Sequence, residues 1–205
     1  MAGFATLRRQ CRLFAIGSTF FAVATVPGFA TMAGAGASNV LCFVGSWFFT
    51  TAAWMQLRLS DRGIGWWSAA IQFIGTVLFN LSTGAAVSVH TIHADRHDVW
   101  VPDAAGSAAF LISGILAVLT VGWWAPKSVD WQVGWINLLG CVAFGVSAAG
   151  AFVTTAGVTA DAWLANLGTF VGALCFLTAA LLPPQARRAG GTSRSRGSAN
   201  SPFSG

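Results

Sequence analysis

The chain has 205 residues, of which 55% are hydrophobic and only 8% are charged, with 11 Lys and Arg against 6 Asp and Glu. A soluble domain of average composition carries about 25% charged residues, so this chain has too few charges to cover a surface in water. The composition excludes a soluble enzyme, a disordered chain and a nucleic-acid-binding domain, and it indicates a polytopic membrane protein.

Six stretches of the chain are apolar over about the 20 residues that a helix needs to cross a bilayer. Short polar or glycine-rich breaks separate them, and Pro183 and Pro184 end the last stretch because proline cannot continue a helix. The sequence therefore predicts an all-α membrane protein, a six-helix transmembrane bundle over residues 13–182. The predicted spans are 13–33, 38–59, 66–90, 101–124, 131–153 and 162–182.

The Lys and Arg residues lie almost entirely on one side of the predicted spans. Residues 1–12 form a basic head, and residues 183–205 form a basic tail of Gly, Ser, Ala and Arg that we expect to be disordered. With the N-terminus inside, Arg96 is the one Lys or Arg that falls outside. The positive-inside rule then predicts a protein of the cytoplasmic membrane with both termini in the cytoplasm.

The first predicted span allows a second interpretation. Arg8 and Arg9, the apolar stretch after them and the small residues 33–37 also resemble a cleaved signal peptide. We favour a retained helix, because the stretch is long for the apolar region of a signal peptide and because it shares the repeat described next. The other five spans keep their orientation under either interpretation.

Each predicted span carries a glycine followed by a small residue, and in five of the six a phenylalanine stands four residues after the glycine. Positions i, i+4 and i+7 share one helix face. Because small residues let helix backbones approach closely in lipid, we interpret this stripe as a packing face, with a solute path as the alternative. The grouping of the spans, as three-plus-three inverted repeats or as hairpins, stays open. The stripe glycines are Gly17, Gly45, Gly75, Gly106, Gly140 and Gly168, the last without phenylalanine at this spacing.

The last predicted hairpin reads WINLLGCVAFGVS over 135–147 and NLGTFVGALCFL over 166–177. These segments resemble the YrhK-like domain of bacterial, especially actinobacterial, integral membrane proteins. The resemblance is closest over 131–182 and weaker over 38–124. It implies a multi-pass membrane protein, and it brings no established activity, cofactor or catalytic residue.

The polar side chains inside the predicted spans are few and uncharged. The absence of charge from the centre of each span argues against proton relays and ion-coupled transporters. For Asn80, Gln72 and Asn137 we expect interhelical hydrogen bonds worth about 1 kcal/mol each, with a solute site as the alternative. The sequence has no phosphate-binding loop, serine elbow or HExxH motif, so it predicts neither an enzyme nor a cofactor.

All three histidines of the chain lie in one predicted outer loop, namely His90, His93 and His97. Together with Asp98 they have the chemistry to bind Zn²⁺ or Cu²⁺, and histidine also responds to pH near about 6.5. We favour a solvated loop without metal. A single loop must bend sharply to bring four ligands together, and Arg96 opposes a cation.

These observations predict a structural or partner-binding membrane protein without chemistry. Its expected partners are the lipid bilayer and either a second copy of the chain or another membrane protein, and nucleic acid is not among them. One alternative is a small facilitator or transporter subunit for a neutral solute. The other is an outer-face metal or pH sensor at the histidine loop.

Overall fold

The structure, a computed structural model, describes residues 2–88 and 91–182, with side chains from Ala5 onward. The described residues are helical apart from turns and one isolated bridge between Val153 and Thr159, which confirms the predicted all-α class. The predicted tail over 183–205 lies outside the described residues. The elements are α1 (Ala2–Thr25), α2 (Phe29–Ala33), α3 (Ala35–Leu59), α4 (Ile64–Ser88), α5 (Ile92–Ala94), a π-helix (Asp95–Trp100), α6 (Val101–Val121), α7 (Val129–Gly150) and α8 (Ala162–Leu181).

Five helices of the described part are long and apolar enough to cross a membrane. The chain is therefore a multi-pass helical membrane protein. Helix α1, with 24 residues, falls within the range of lengths of these five, but Arg8, Arg9 and Arg12 lie in its first half and shorten its apolar part. The first predicted span, over 13–33, would be the sixth membrane-crossing helix, and it stays a prediction. The five helices are Ala35–Leu59, Ile64–Ser88, Ile92–Val121, Val129–Gly150 and Ala162–Leu181.

At two places a proline or a glycine ends a helix before the predicted span does. The first predicted span runs to residue 33, whereas α1 ends at Thr25, just before Pro27, and Gly28 has a φ of 89°. Proline disfavours the helical conformation of the residue before it. The fourth predicted span runs to residue 124, whereas α6 ends at Val121 because Gly122 adopts a φ of 82°.

The segment between α4 and α6, which we predicted as an outer loop, is helical over most of its described length. Helix α5 leads into the π-helix, in which the N–H of Val101 donates to the carbonyl of Arg96, and the π-helix continues into α6. Pro102 explains the wide turn, because it has no N–H to donate and its ring crowds the carbonyl four residues earlier. A π turn relieves this crowding by inserting one residue.

The six long helices form a closed ring. Helix α1 packs on α3, α3 on α4, α4 on α6, α6 on α7 and α7 on α8, and α8 returns to α1. The chain alternates in direction: in α1 and α3, Gln10 contacts Gln56 at one end, whereas Ser38 donates to the carbonyl of Ala24 at the other. Short connections between consecutive helices produce such an up-and-down bundle.

Candidate functional site

The stripe glycines of α4 and α6 face each other across the helix crossing. A Cβ built on Gly75 would lie 2.7 Å from Cδ1 of Phe110 and 3.1 Å from the carbonyl oxygen of Gly106. A Cβ built on Gly106 would lie 2.7 Å from Cδ2 of Phe79 and 3.1 Å from the carbonyl oxygen of Gly75. Each glycine therefore makes room for the phenylalanine ring of the opposite helix.

The same reciprocal contact joins α1 to α3. A Cβ built on Gly17 would lie 2.9 Å from the carbonyl oxygen of Gly45 and 3.0 Å from Cδ2 of Phe49. A Cβ built on Gly45 would lie 3.1 Å both from the carbonyl oxygen of Gly17 and from Cδ2 of Phe21. The glycine contacts thus occur within consecutive helix pairs, so the repeating unit that they define is a hairpin.

In the pair α7 and α8, the reciprocal glycines are Gly140 and Gly172. A Cβ on Gly140 would lie 2.7 Å from Cδ1 of Phe176, and one on Gly172 would lie 2.6 Å from Cδ2 of Phe144. Phe176 stands four residues after Gly172, which is the spacing of the other five helices. The predicted stripe of the last helix begins at Gly168, four residues before the glycine that makes the reciprocal contact.

Gly168 itself lies one turn earlier in α8, at another close approach to α7. A Cβ there would lie 2.8 Å from the carbonyl oxygen of Ala143 and 2.8 Å from Cβ of Ser147. The hydroxyl of Ser147 also contacts α8, where it donates to the carbonyl of Ala165 over 2.6 Å. The last helix therefore meets α7 closely at two levels.

The six phenylalanines that pack on these glycines fill the centre of the ring, and each is only 3–5% exposed. Because neighbouring helices run in opposite directions, the rings lie in two layers of three. Within a hairpin the two layers touch: ring centroids are 4.9 Å apart for Phe79 and Phe110, and 5.3 Å apart for Phe144 and Phe176. One layer holds Phe21, Phe79 and Phe144, and the other holds Phe49, Phe110 and Phe176.

Little space remains between these rings. The cavity at the centre measures about 10 Å³, which is near the smallest volume that holds one water molecule. A solute could follow the axis of the bundle only if the rings moved apart. The cavity is lined by Phe21, Ser46, Phe49, Thr76, Phe79, Phe110 and Phe144.

Hydrogen bonds between side chains connect α3 to α4. Asn80 accepts from the hydroxyl of Ser46, and its amide nitrogen donates to Oγ1 of Thr50 over 2.6 Å. The hydroxyl of Thr83 contacts Oγ of Ser46 at 3.2 Å, and Oγ1 of Thr50 donates to the carbonyl of Thr76 over 3.3 Å. The amide of Asn80 is thus bonded to two hydroxyls of the neighbouring helix.

A second set of polar side chains crosses four helices at one end of the bundle. Gln10 donates to Gln56, and Gln56 donates to Gln72, each over 3.5 Å. The hydroxyl of Ser113 contacts Oε1 of Gln72 at 3.5 Å and donates to the carbonyl of Ser68 over 2.8 Å. These contacts link α1, α3, α4 and α6, and sequence analysis identified only Gln72 among them.

The three polar residues predicted inside the spans do not line a common site. Gln72 is buried between α3 and α6, whereas Asn80 is half-buried and bonded to α3. Asn137 is also half-buried, and its amide contacts Sγ of Cys141 at 3.8 Å within α7. The three residues therefore share no site in this conformation, and the solute site that we gave as their alternative stays a prediction.

The predicted histidine cluster is described in part, because His90 lies outside the described residues. The rings of His93 and His97 stack, with centroids 4.9 Å apart and planes 17° apart. Over residues 2–88 and 91–182, no three His, Cys, Asp or Glu residues come together as metal ligands. His93, His97 and Asp98 thus do not form a group of three metal ligands among the described residues, and the four-ligand alternative that includes His90 stays a prediction.

The end of α7 and the loop between α7 and α8 pack against α5 and the π-helix. The indole nitrogen of Trp100 donates to the carbonyl of Ala148 over 2.9 Å, and its ring packs edge-on against Phe152 at 4.9 Å. The guanidinium of Arg96 lies 5.1 Å from the centre of the same Phe152 ring. Gly157, with a φ of 76°, meets Ile92 so closely that a Cβ there would lie 2.5 Å from its Cδ1.

No family model, curated protein or solved structure matches the chain. The resemblance to the YrhK-like domain therefore stays a prediction.

Proposed function

We propose that the chain is a structural or partner-binding protein of the cytoplasmic membrane, without enzymatic activity and with both termini in the cytoplasm. In this proposal α1 also crosses the membrane, which gives six spans in all. The chain then belongs with the YrhK-like proteins. The distribution of Lys and Arg supports the orientation, and the resemblance over 131–182 supports the family.

The packed phenylalanine core is the observation that carries the proposal. Six rings fill the axis, and each ring rests on a glycine of the opposite helix. Opening the axis would separate rings that are 4.9–5.4 Å apart within each hairpin and would lose their dispersion contacts. A bundle built this way serves as a rigid support more readily than as a pore.

Trp47 supports a protein contact on the outside of α3. It lies at the middle of the helix and is 57% exposed. Tryptophan in membrane helices is enriched near the two interfaces rather than at the centre, and it is among the residues that contribute most to protein contacts. We therefore place the partner, a second copy or another membrane protein, against this face.

Photo-crosslinking in native membranes tests the proposal. A photoreactive phenylalanine analogue replaces Trp47 in one variant and Ile112 in a control variant, since Ile112 is similarly exposed at the middle of α6. We expect a discrete protein adduct from position 47 and none from position 112. The proposal is wrong if position 47 gives no adduct or if both positions give the same products.

The polar contact between α3 and α4 favours a second candidate, a facilitator for a small neutral solute. Hydroxyl and amide groups follow this contact from Asn80 through Thr50 to Thr76. Proteoliposomes loaded with urea or glycerol measure the activity directly. If this candidate holds, the protein raises the flux above that of empty liposomes, and replacing Asn80 by Leu removes the increase.

A further inference from the structure

His93 and His97 lie one helical turn apart with both imidazoles exposed to solvent. A histidine pair at i and i+4 on one helix face is a known arrangement of zinc ligands. Nitrogen atoms about 2.0–2.1 Å from a shared metal ion require the two rings to lie side by side. The two rings lie next to each other, with centroids 4.9 Å apart and planes 17° apart.

The backbone that carries the pair is fixed on both sides. Ile92, just before His93, is seated against Gly157, and Arg96, just before His97, lies over the ring of Phe152. Trp100, at the end of the π-helix, is bonded to α7. Two ligands on a backbone held in place lose less freedom when they bind an ion than ligands on a mobile loop do.

The surrounding charges also favour a cation. Asp95 and Asp98 belong to the same short helix as His97. The guanidinium of Arg96, which lies over the ring of Phe152, keeps its positive charge, so the two carboxylates outnumber the one cation of this short helix. Carboxylates near a site raise the local concentration of cations.

We propose that His93 and His97 bind one divalent transition-metal ion, Cu²⁺ or Zn²⁺, through one imidazole nitrogen each. These metals prefer imidazole ligands, whereas Mg²⁺ and Ca²⁺ prefer oxygen. With no third His, Cys, Asp or Glu grouped with the pair among the described residues, water completes the coordination. The site is therefore exchangeable rather than part of the fold, and the ion bridges the α5 and π-helix segments.

Electron paramagnetic resonance of Cu²⁺ added to the purified full-length chain in detergent tests the site, with a purification tag that has no histidine. We expect about one bound ion per chain and a spectrum with nitrogen ligands. His93→Ala and His97→Ala should each weaken binding by roughly tenfold or more, because the second ligand acts at a high effective concentration. Mg²⁺ in excess should not compete.

Three controls keep the test decisive. Thermal stability without metal should be the same in both variants as in the unchanged protein, since both side chains are exposed. His90→Ala removes a histidine outside the pair and should leave Cu²⁺ binding within about twofold, because neither proposed ligand changes. Unchanged binding in the double variant His93→Ala/His97→Ala, or an equal loss in His90→Ala, would overturn the proposal.

Discussion

The ring of Phe110 rests on the backbone of Gly75, at a place where a Cβ would lie 2.7 Å from the ring carbon Cδ1. The reverse contact, between Phe79 and Gly106, has the same distance. The two helices of a hairpin are antiparallel. The phenylalanine that lies one turn after the glycine of one helix therefore packs on the glycine of the other helix. This geometry explains why glycine and phenylalanine are four residues apart.

Adding a methyl group at a stripe glycine should destabilise the bundle. In Gly140→Ala the new Cβ would lie 2.7 Å from both Cδ1 and Cε1 of Phe176, and overpacking of this kind costs about 1–3 kcal/mol. Gly145→Ala, in the same helix, is the matched control because a Cβ there meets nothing within 4 Å. Its effect should be neutral or stabilising by up to about 1 kcal/mol, since alanine favours the helix.

Unfolding of both alanine variants in mixed micelles, followed by circular dichroism, measures these free energies. Equal stability of Gly140→Ala and Gly145→Ala would contradict the packing role of the stripe.

Removing the ring of Phe110 should relieve the clash that Gly75→Ala creates. We expect Gly75→Ala and Phe110→Leu to destabilise the protein individually, the first by overpacking and the second by leaving a cavity. In the double variant the alanine Cβ occupies space that the ring has left. The loss should therefore be smaller than the sum of the two single losses by about 1 kcal/mol, a coupling typical of residues in contact. Strict additivity would show that the ring does not limit the substitution.

The sequence was sufficient to predict the helical class and most of the spans, because length and hydropathy determine them. It also revealed the stripe, since a period of four residues marks one helix face. The sequence could not predict which two glycines face each other, because these contacts depend on which helices pack together. The register of α8 is a different case, because the sequence carries its signal: Phe176 stands four residues after Gly172, as in the other five helices, and the contact of Phe144 with Gly172 agrees with it.

Local backbone effects account for the other differences. Hydropathy predicts a first span that continues beyond Pro27, whereas α1 ends before this proline. Hydropathy also contains no signal for the π-helix before Pro102. The contact of Arg96 with Phe152 joins residues far apart in the chain. No pattern in the sequence near Arg96 could have indicated it.

Two serines at equivalent positions of the repeat should respond in opposite ways to alanine. Ser18 and Ser46 each follow a stripe glycine and are 0% and 1% exposed. The hydroxyl of Ser18 is buried without a hydrogen-bond partner within the described residues, whereas that of Ser46 bonds to Asn80 and Thr83. An unsatisfied buried hydroxyl costs about 1–3 kcal/mol.

We therefore expect Ser18→Ala to raise the free energy of unfolding by about 1 kcal/mol or more and Ser46→Ala to lower it by about 1 kcal/mol. The α8 position that corresponds to Ser18 is already Ala173, which is 0% exposed. A loss of stability in Ser18→Ala would mean that its hydroxyl has a partner in solution.

Replacing Asn80 by leucine should weaken the contact between α3 and α4. Two hydroxyls of α3 would lose their amide partner, and an interhelical hydrogen bond in a membrane protein is worth about 0.6–1.7 kcal/mol. Asn166→Leu is the control, because Asn166 is exposed and its amide donates to Ala162 within its own helix. Thermal melting in detergent should therefore show a lower midpoint for the first variant and almost no change for the second.

Topology reporters test the predicted orientation of α1, and mass spectrometry then separates a retained helix from a cleaved signal peptide, because the connection after α1 lies outside in both interpretations. Helix α1 has three arginines near its start but packs against both α3 and α8, as a spanning member of the ring would. If α1 spans, alkaline phosphatase inserted after Gly36 should be active outside the cytoplasm, and a fluorescent reporter after Gly205 should be active inside.

Gly36 suits the insertion because a side chain there meets nothing within 4 Å. Mass spectrometry of the mature chain should find residues 3–30, since a retained helix is needed to close the ring between α3 and α8. A mature N-terminus near Ala37 would show a cleaved signal peptide. The ring of Phe49, which packs on Phe14 and Phe21 of α1, would then be partly uncovered, and the isolated five-helix chain should be less stable than the full one.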